Sequence, residues 1–375
     1  MGETVLVTLG RLPKGLEIAR ALAGAGCRVI VADPFAWHLT RLSRAVERSV
    51  RVAAPALDAR AFRRDLLEVI EREQVARVCP VSEEIFHVAG VERDLPAEVR
   101  LHCMTQATLL ELHDKLAFVR RAQALDLPVP ETYAADSDAG RSFAAAHAFV
   151  VKPMRASSGN GLSLHGAGEV IPETMQPSVL QALLPGQETA TFSVAHEGRV
   201  LGTVVYRARI LSGTVAVSFE RVIEPDPEQL HWIERFAAGT AFSGFLSFDF
   251  RVDEQGRNLP IECNPRATSG IHFVAPGALA KSILAPASCE EFALRPEVRL
   301  QQFFPALTAV QSAALRGAPR PAVRTLFECR DVAWQASDPL PFVLMTPASW
   351  PILSKTIFKG MSFGDAATAD VGFYD

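Results

Sequence analysis

Over roughly the first 105 residues, apolar runs alternate with amphipathic stretches. The pattern predicts three buried strands and two helices, with strands at 4–9, 28–33 and 75–80 and helices at 16–25 and 63–73. Strands that alternate with helices in this way form parallel sheets with right-handed crossovers. We therefore predict an α/β fold that begins with a small doubly wound domain over residues 1–105.

Two later segments alternate with a period of two and predict a β-hairpin. In residues 245–252 the even-numbered side chains are apolar, and in residues 259–265 the odd-numbered side chains are predicted to share one face. Asp253–Gly256 supplies the turn. If the last two turn residues are central, Asp249 lies directly opposite Glu262 on the polar face.

This polar face concentrates oxygen ligands. Asn264 lies two residues beyond Glu262 on the same face, and the facing carboxylates of Asp249 and Glu262 repel each other unless a cation joins them. Oxygen-only ligands suit Mg²⁺, which shares its coordination shell with water and phosphate oxygens. An ordinary solvent-facing hairpin is the alternative. The continuation, with Arg266 and then Ser269–Gly270, favours a site that handles phosphate.

These residues resemble the closing signature of the ATP-grasp superfamily, in which an acidic strand is followed by Glu-x-Asn-Pro-Arg and a turn of small residues. The resemblance implies one or two Mg²⁺ ions on ATP, replaceable by Mn²⁺, with three protein ligands: Asp249, Glu262 and Asn264. It implies substrate or phosphoryl contacts from four residues: Arg266, Ser269, Gly270 and His272. A lone histidine such as His272 is also a common structural hydrogen-bonding residue.

Two lysines and a glycine-rich segment match further parts of the ATP-grasp pattern. Lys115 lies in a predicted helix over residues 106–127, and Lys152 lies in a predicted strand at 149–153. In the family both lysines contact nucleotide phosphates. The chain uses arginine for most of its 38 basic residues, so a lysine at both positions is informative. The flap at 155–161 offers three candidate phosphate contacts: Ser158, Gly159 and Gly161.

A strand that runs into a Pro-Gly turn resembles the hinge that contacts adenine in ATP-grasp enzymes. Its candidate nucleotide contacts are Gln181, Ala182, Leu183 and Glu188. The resemblance assigns the ribose hydroxyls to Glu188. Gln181 stands where many members have glutamate, and a plain strand residue explains it equally well. Arg207, on a further strand, is a candidate for binding the γ-phosphate or a substrate carboxylate, and a solvated strand edge is its alternative.

Composition excludes several classes of function. The chain has 375 residues, is 49% hydrophobic and 21% charged, and carries a net charge of −4. These values fit a globular protein of two or three domains and provide no basic field for nucleic acid. The six cysteines form no C-x-x-C pair, and neither a signal peptide nor a membrane-length apolar run is evident. We therefore expect a cytoplasmic protein without membrane partners.

The N-terminal strands and helices also allow a second hypothesis, NAD(P) binding by an oxidoreductase. The glycine fingerprint G-x-G-x-x-G is absent, because Pro13 interrupts the segment between Gly10 and Gly15. Asp33 stands where a ribose ligand would lie, but a polar residue also commonly closes a strand. ATP-grasp enzymes often begin with a Rossmann-like domain that does not bind NAD. The segment 80–84 further resembles the carbamoyl-phosphate-synthase-like branch of that superfamily.

The resemblance thus implies an ATP-grasp fold preceded by a Rossmann-like domain. Its predicted parts are the Rossmann-like domain at 1–105, the small subdomain with the flap at 106–185, the catalytic subdomain with the metal hairpin at 186–295, and an extension packed on the ligase domain at 296–375.

The activity implied by this resemblance is that of an ATP-dependent carboxylate–amine ligase. Such an enzyme activates a carboxylate as an acyl phosphate, releases ADP and couples the acyl group to an amine. The predicted catalytic residues are Lys152, Arg207 and Arg266. The expected partners are small carboxylate and amine substrates, and homodimers are common in the family. An ATP-binding regulatory or scaffold protein without ligase chemistry is the alternative.

Overall fold

The computed structural model describes residues 2–155, 161–212, 215–302, 306, 327–361 and 363–373. The strands are β1 Thr4–Thr8, β2 Arg28–Asp33, β3 Arg48–Arg51, β4 Arg77–Cys79, β5 Arg100–Leu101, β6 Thr132–Ala134, β7 Phe149–Pro153, β8 Ser163–His165, β9 Ser178–Ala182, β10 Glu188–His196, β11 Arg199–Ser212, β12 Val215–Arg221, β13 Gly244–Val252, β14 Asn258–Asn264, β15 Arg299–Gln301 and β16 Arg330–Asp331. The α-helices are α1 Pro13–Gly24, α2 Ala59–Arg72, α3 Ile85–Ala89, α4 Gln106–His113, α5 Lys115–Ala124, α6 Asp138–Ala146, α7 Pro227–Gly239, α8 Pro276–Leu284, α9 Leu340–Val343, α10 Met345–Ala348, α11 Trp350–Lys359 and α12 Phe363–Thr368.

The N-terminal strands form a parallel five-stranded sheet in the order β3-β2-β1-β4-β5. Both predicted helices begin earlier than expected. Helix α1 begins at Pro13, whose missing N–H and fixed φ suit the first helical position. Helix α2 begins at Ala59 because the Asp58 side chain caps it by accepting the Ala61 N–H. Start signals of this kind extend a helix beyond its apolar periodicity.

The single helix predicted over residues 106–127 is two helices, α4 and α5. Asp114 has an extended ψ of 114° between them, and its carboxylate accepts the N–H groups of Leu116 and Ala117. The aspartate therefore caps a new helix where the periodicity predicted continuity. The break sets the position of Lys115 as the first residue of α5.

Two further sheets hold the central part of the chain. A four-stranded antiparallel sheet has the order β6-β9-β7-β8, and a seven-stranded sheet has the order β14-β13-β10-β11-β12-β15-β16. Helix α7 covers the back of the β13–β14 hairpin through a buried aromatic cluster that includes Trp232, Phe236, Phe248 and Phe250. The apolar face of β13 is thereby buried, and its polar face points the other way.

The hairpin confirms the predicted pairing of Asp249 with Glu262, but the predicted turn was wrong by one residue. Asp253 and Arg257 close the loop through a backbone hydrogen bond, so three residues lie between them. A β-bulge between Asp249 and Phe250 adds one residue to the β14 side and restores the register. The bulge turns Ile261 into the cleft described below, whereas alternation had placed it on the opposite face.

The C-terminal segment contacts both the large sheet and the N-terminal domain. Strands β15 and β16 extend the seven-stranded sheet. The buried guanidinium of Arg11 pairs with Asp33 at 2.8 Å and with Asp370 at 2.6 Å. This pairing occupies Asp33, the residue that a bound dinucleotide would need for its ribose. Arg11, Asp33 and Asp370 thus form a buried polar network at the position where the sequence allowed a ribose ligand.

The residues described here include no helix that is long and apolar enough to cross a membrane. All six cysteines are free thiols, and four of them are buried. The predicted domain bounds stay a prediction, although the parallel sheet, the four-stranded sheet and the start of the seven-stranded sheet follow one another along the chain in the predicted order.

Candidate active site

A cleft of about 900 Å³ opens between the three sheets and the C-terminal segment. Nine residues predicted from the sequence line it: Lys115, Lys152, Glu188, Arg207, Asp249, Glu262, Asn264, Arg266 and Ser269. They come from five strands, one helix and the turn after β14. The fold thus brings together candidates that are more than 150 residues apart in the sequence, and most of them are charged.

A chain of polar contacts begins at the hairpin. Asn264 Nδ2 donates to Asp249 Oδ2 at 3.1 Å, and Arg266 Nη2 donates to Asn264 Oδ1 at 2.9 Å. Arg266 also pairs with Glu83 at 2.7 Å, and Glu83 is nearly buried. The Nη2 atom of Arg266 therefore contacts both Asn264 and Glu83, which together hold the guanidinium at the end of β14.

The facing carboxylates of Asp249 and Glu262 lie close enough to repel each other. Burial and the nearby charges of Glu262 and Glu188 together raise the pKa of Asp249 to about 7, against the opposing effects of Arg266 and Lys152. A bound cation would remove this penalty, and the donor set of two carboxylates and one amide fits a hard divalent ion. Among the described residues, no group of three or more His, Cys, Asp or Glu side chains is arranged to hold a metal ion.

Two lysines approach the acidic pair from the opposite wall. Lys115 Nζ lies 3.5 Å from Glu262 Oε1, and the Lys115 backbone N–H donates to Met154 O at 3.0 Å. Lys152 ends up almost completely buried, and burial lowers its pKa to about 8 against the opposing charge of Glu262. Two buried ammonium groups beside two partly buried carboxylates would suit a polyphosphate bridged to a metal ion.

From the sequence, Gln181 was either a nucleotide contact or a plain strand residue, and the structure gives it a different role. Lys152 Nζ donates to Gln181 Oε1 at 2.7 Å, and Gln181 Nε2 donates to Thr132 Oγ1 at 3.1 Å. The amide is 1% exposed and does not line the cleft. Gln181 thus orients Lys152 and has no surface for direct contact with a nucleotide.

The two other hinge candidates, Ala182 and Leu183, also lie outside the cleft lining. Their backbone N–H groups donate to Glu131 O at 2.9 Å and to Ala148 O at 3.2 Å. Neither N–H is therefore available to an adenine ring in this conformation. These internal bonds instead fix the course of the hinge.

The open rim of the cleft carries weaker pairs. Glu188 lies 3.8 Å from Arg251, and Arg207 Nη1 donates to Gln187 Oε1 at 3.0 Å. The bulged Ile261 adds an apolar surface beside these groups. Such a rim could take a flat ring on the isoleucine and hydroxyls on Glu188.

The flap is described only at its ends. Ser158 and Gly159 lie outside the described residues. Gly161 has φ +73°, and a Cβ there would lie 2.8 Å from Pro153 Cγ, so glycine is required at this position for two reasons.

The turn after β14 places one of its three predicted substrate contacts in the cleft. Ser269 lines the cleft, but Gly270 and His272 do not. A Cβ on Gly270 would lie 2.5 Å from Phe192 Cβ, so this glycine serves core packing. His272 is 1% exposed, and its Nδ1 lies 3.1 Å from Glu17 Oε2. The structural alternative for His272 is the one that the structure favours.

Sequence reasoning missed Lys14 and Glu83, which also line the cleft. Lys14 Nζ donates to Ala267 O at 2.8 Å and to Ser82 Oγ at 3.2 Å. Burial and the neighbouring Arg266 lower the pKa of Lys14 to about 7. Lysine is rare in this chain, and the argument from its rarity that selected Lys115 and Lys152 could also have selected Lys14.

No family model matches the sequence, and no curated protein does. Solved structures do match. An N5-carboxyaminoimidazole ribonucleotide synthetase in complex with ADP is 13% identical, with 84% of this chain and 86% of that chain covered and a TM-score of 0.61. The biotin carboxylase domain of 2-oxoglutarate carboxylase from Hydrogenobacter thermophilus, with MgADP, ADP and bicarbonate, is 12% identical, covers 76% and 69%, and has a TM-score of 0.60.

An L-amino acid ligase from Bacillus licheniformis is 15% identical, with 76% of this chain and 74% of that chain covered and a TM-score of 0.56. At such low identities the similarity concerns the fold. The chain therefore has the ATP-grasp fold, preceded by a Rossmann-like N-terminal domain, as the sequence predicted.

Proposed function

We propose that the protein is an ATP-dependent ligase that joins a carboxylate to an amine. The observation that carries the proposal is the convergence of Lys115 and Lys152 on the Asp249–Glu262 pair within one cleft. These are the charges that Mg·ATP needs, and they lie in a fold shared with structures solved with ADP or MgADP. A regulatory ATP-binding protein would not require Arg266, which Asn264 and Glu83 hold at the end of this acidic strand.

Asp249, Glu262 and Asn264 would hold Mg²⁺, which when bound neutralises phosphate charge and orients the transferred group. The substrate carboxylate attacks the γ-phosphorus, ADP leaves, and an acyl phosphate forms. The amine then attacks the acyl carbon and displaces phosphate. The protein residues supply positioning and positive charge, and no nucleophilic side chain is required.

In this scheme the ammonium groups of Lys115 and Lys152 bind phosphate oxygens. Arg266, fixed by Asn264 and Glu83, faces the carboxylate end of the reaction and stabilises the negative charge there. Arg207 at the rim is a further candidate for an anionic group. Our proposal extends to a second ion, to Mn²⁺ as a substitute, to a cytoplasmic location and to a homodimer.

The test is the release of ADP and phosphate from ATP in the presence of Mg²⁺. Pools of amino acids and small carboxylic acids serve as substrates, and mass spectrometry detects the new amide. We expect release that depends on one pool and a product whose mass equals both substrates less water. Using the active acid labelled with ¹⁸O in its carboxylate, we expect one label in the released phosphate.

Two results would contradict the proposal. Release of AMP and pyrophosphate, in place of ADP and phosphate, would exclude an acyl phosphate intermediate. Unlabelled phosphate from an ¹⁸O-labelled acid would show that water, and not the carboxylate, attacks ATP.

A further inference from the structure

The cleft continues past the charged site into a chamber between the N-terminal domain and the C-terminal segment. Helix α1 and the loop before it form one wall, and helices α10, α11 and α12 form the other. The apolar residues that line this chamber are Leu12, Pro13, Leu39, Val332, Met345, Ile352, Phe363 and Ala367. The phosphates of a nucleotide are charged, so an apolar surface at this end of the cleft is unsuited to contact them.

Lys14 stands where this apolar chamber meets the charged site. Its ammonium group has three N–H donors, and two of them are used by Ala267 O and Ser82 Oγ. Its bond to Ala267 places it next to Arg266, whose positive charge lowers the pKa of Lys14, while the nearby carboxylates of Glu83 and Glu84 raise it. Two cations held beside each other at the mouth of a chamber would be stabilised by an anionic ligand.

The other cation near the chamber is already neutralised within the protein. Arg11 bonds to both Asp33 and Asp370, so the apolar walls carry little uncompensated charge. Asp331 is engaged as well, because its carboxylate accepts the N–H of Ala333 at 2.7 Å. Arg266 is likewise paired with Glu83 at 2.7 Å. The bonds of Lys14 among the described residues go instead to the neutral oxygens of Ala267 and Ser82, so Lys14 is the cation at this position that an anionic ligand would neutralise.

We propose that this chamber binds the acid substrate, with Lys14 and Arg266 on its carboxylate and the apolar walls around its body. The substrate class is then a carboxylic acid with an aliphatic or aromatic body. That the bound acid is a substrate rests on the proposed ligase function, whereas binding of the acid in this chamber is a separate claim. In that claim Lys14 is a substrate-binding residue as well as a link between Ser82 and Ala267.

The test compares two acids with the same six-carbon chain, hexanoate and adipate, which differ in a second carboxylate. Binding is measured by ligand-observed NMR on the full chain in the presence of ATP and Mg²⁺. We expect hexanoate to bind at least tenfold more tightly than adipate, because adipate would bury a charge against an apolar wall. Tighter binding of adipate would overturn the inference.

The variants separate binding from folding. Lys14→Met should weaken hexanoate binding at least tenfold, since a charge-assisted bond is lost, and should leave the affinity for ATP within twofold. Lys14→Arg should restore part of the hexanoate affinity. Lys281→Met, in which an exposed lysine of α8 is removed, is the matched control and should change neither. Thermal unfolding of each variant identifies any that fail to fold.

The outcomes distinguish the two claims. Unchanged hexanoate affinity in a folded Lys14→Met variant would overturn the inference, whatever the protein does with ATP. Hexanoate binding that depends on Lys14, without acid-dependent release of ADP, would support the chamber and count against the ligase. In Leu12→Gln, a half-buried wall residue becomes polar, and we expect the preference for hexanoate over adipate to fall at least threefold.

Discussion

Replacing Gln181 with leucine tests how the buried Lys152 keeps its charge. The Gln181 amide accepts a 2.7 Å hydrogen bond from the Lys152 ammonium, and both side chains are buried. A hydrogen bond to a charged group contributes about 1.5–3 kcal/mol. Since one pKa unit corresponds to about 1.4 kcal/mol, its loss should lower the pKa of Lys152 by about one to two units.

The wild-type pKa of Lys152 is about 8, so in Gln181→Leu it should fall to roughly 6–7. The ammonium form binds phosphate, and affinity for ATP is therefore lost as the pH rises through this pKa. At pH 7.5 most wild-type Lys152 is protonated and most of the variant's is not. We expect ATP to bind the variant roughly threefold to twentyfold more weakly at that pH.

Gln181→Glu is the matched control. A carboxylate at the same position should raise the pKa of Lys152, so the affinity for ATP should persist above pH 8. Calorimetric titration with ATP and excess Mg²⁺ between pH 6 and 9 measures both effects, and thermal unfolding confirms that the variants fold. If all three proteins lose affinity at the same pH, the assignment of Gln181 as the residue that supports the charge of Lys152 is refuted.

Two further predictions concern stability. Glu17→Gln removes the carboxylate that partners His272 and should lower the free energy of unfolding by about 2–4 kcal/mol near neutral pH. His272 and Arg295, which both pair with Glu17, hold its pKa below the ordinary value of 4.5 against the effect of burial. The stabilisation is therefore present above pH 4.5 and is lost on further acidification, so chemical denaturation should show the two proteins converging there. Asp370→Asn removes one of the two carboxylates on the buried Arg11 and should cost about 1–3 kcal/mol. Faster tryptic cleavage of the C-terminal segment would accompany it, and unchanged proteolysis would contradict a clamping role.

Much of the candidate site could be predicted because local patterns determine it. Strand alternation identified the faces of β13, and the carboxylates of Asp249 and Glu262 do face each other. The pairing was correct although the turn was not, since the bulge at Ile261 compensates for the longer loop. A bulge depends on how the strand packs against its neighbours, and alternation along one strand carries no information about that.

The contacts that sequence reasoning missed are long-range. The sequence identifies Asp33 only as the polar residue that ends a strand. Folding brings both Asp33 and Asp370 to Arg11. His272 follows a substrate-like turn in the sequence, yet its partner Glu17 belongs to a helix at the other end of the chain. The pairing of His272 with Glu17 follows from the packing of α1 against α8 and the turn at residues 269–273, which no local pattern encodes.

The central claim is that the Asp249–Glu262 pair forms a Mg·ATP site. The most direct measurement is a calorimetric titration of ATP into the wild type and into Glu262→Gln, each with Mg²⁺ and with EDTA. We predict that the wild type binds ATP much more tightly with Mg²⁺ and that Glu262→Gln loses this difference while unfolding at a similar temperature. Absence of ATP binding to the wild type, or an unchanged Mg²⁺ dependence in the variant, would contradict the claim.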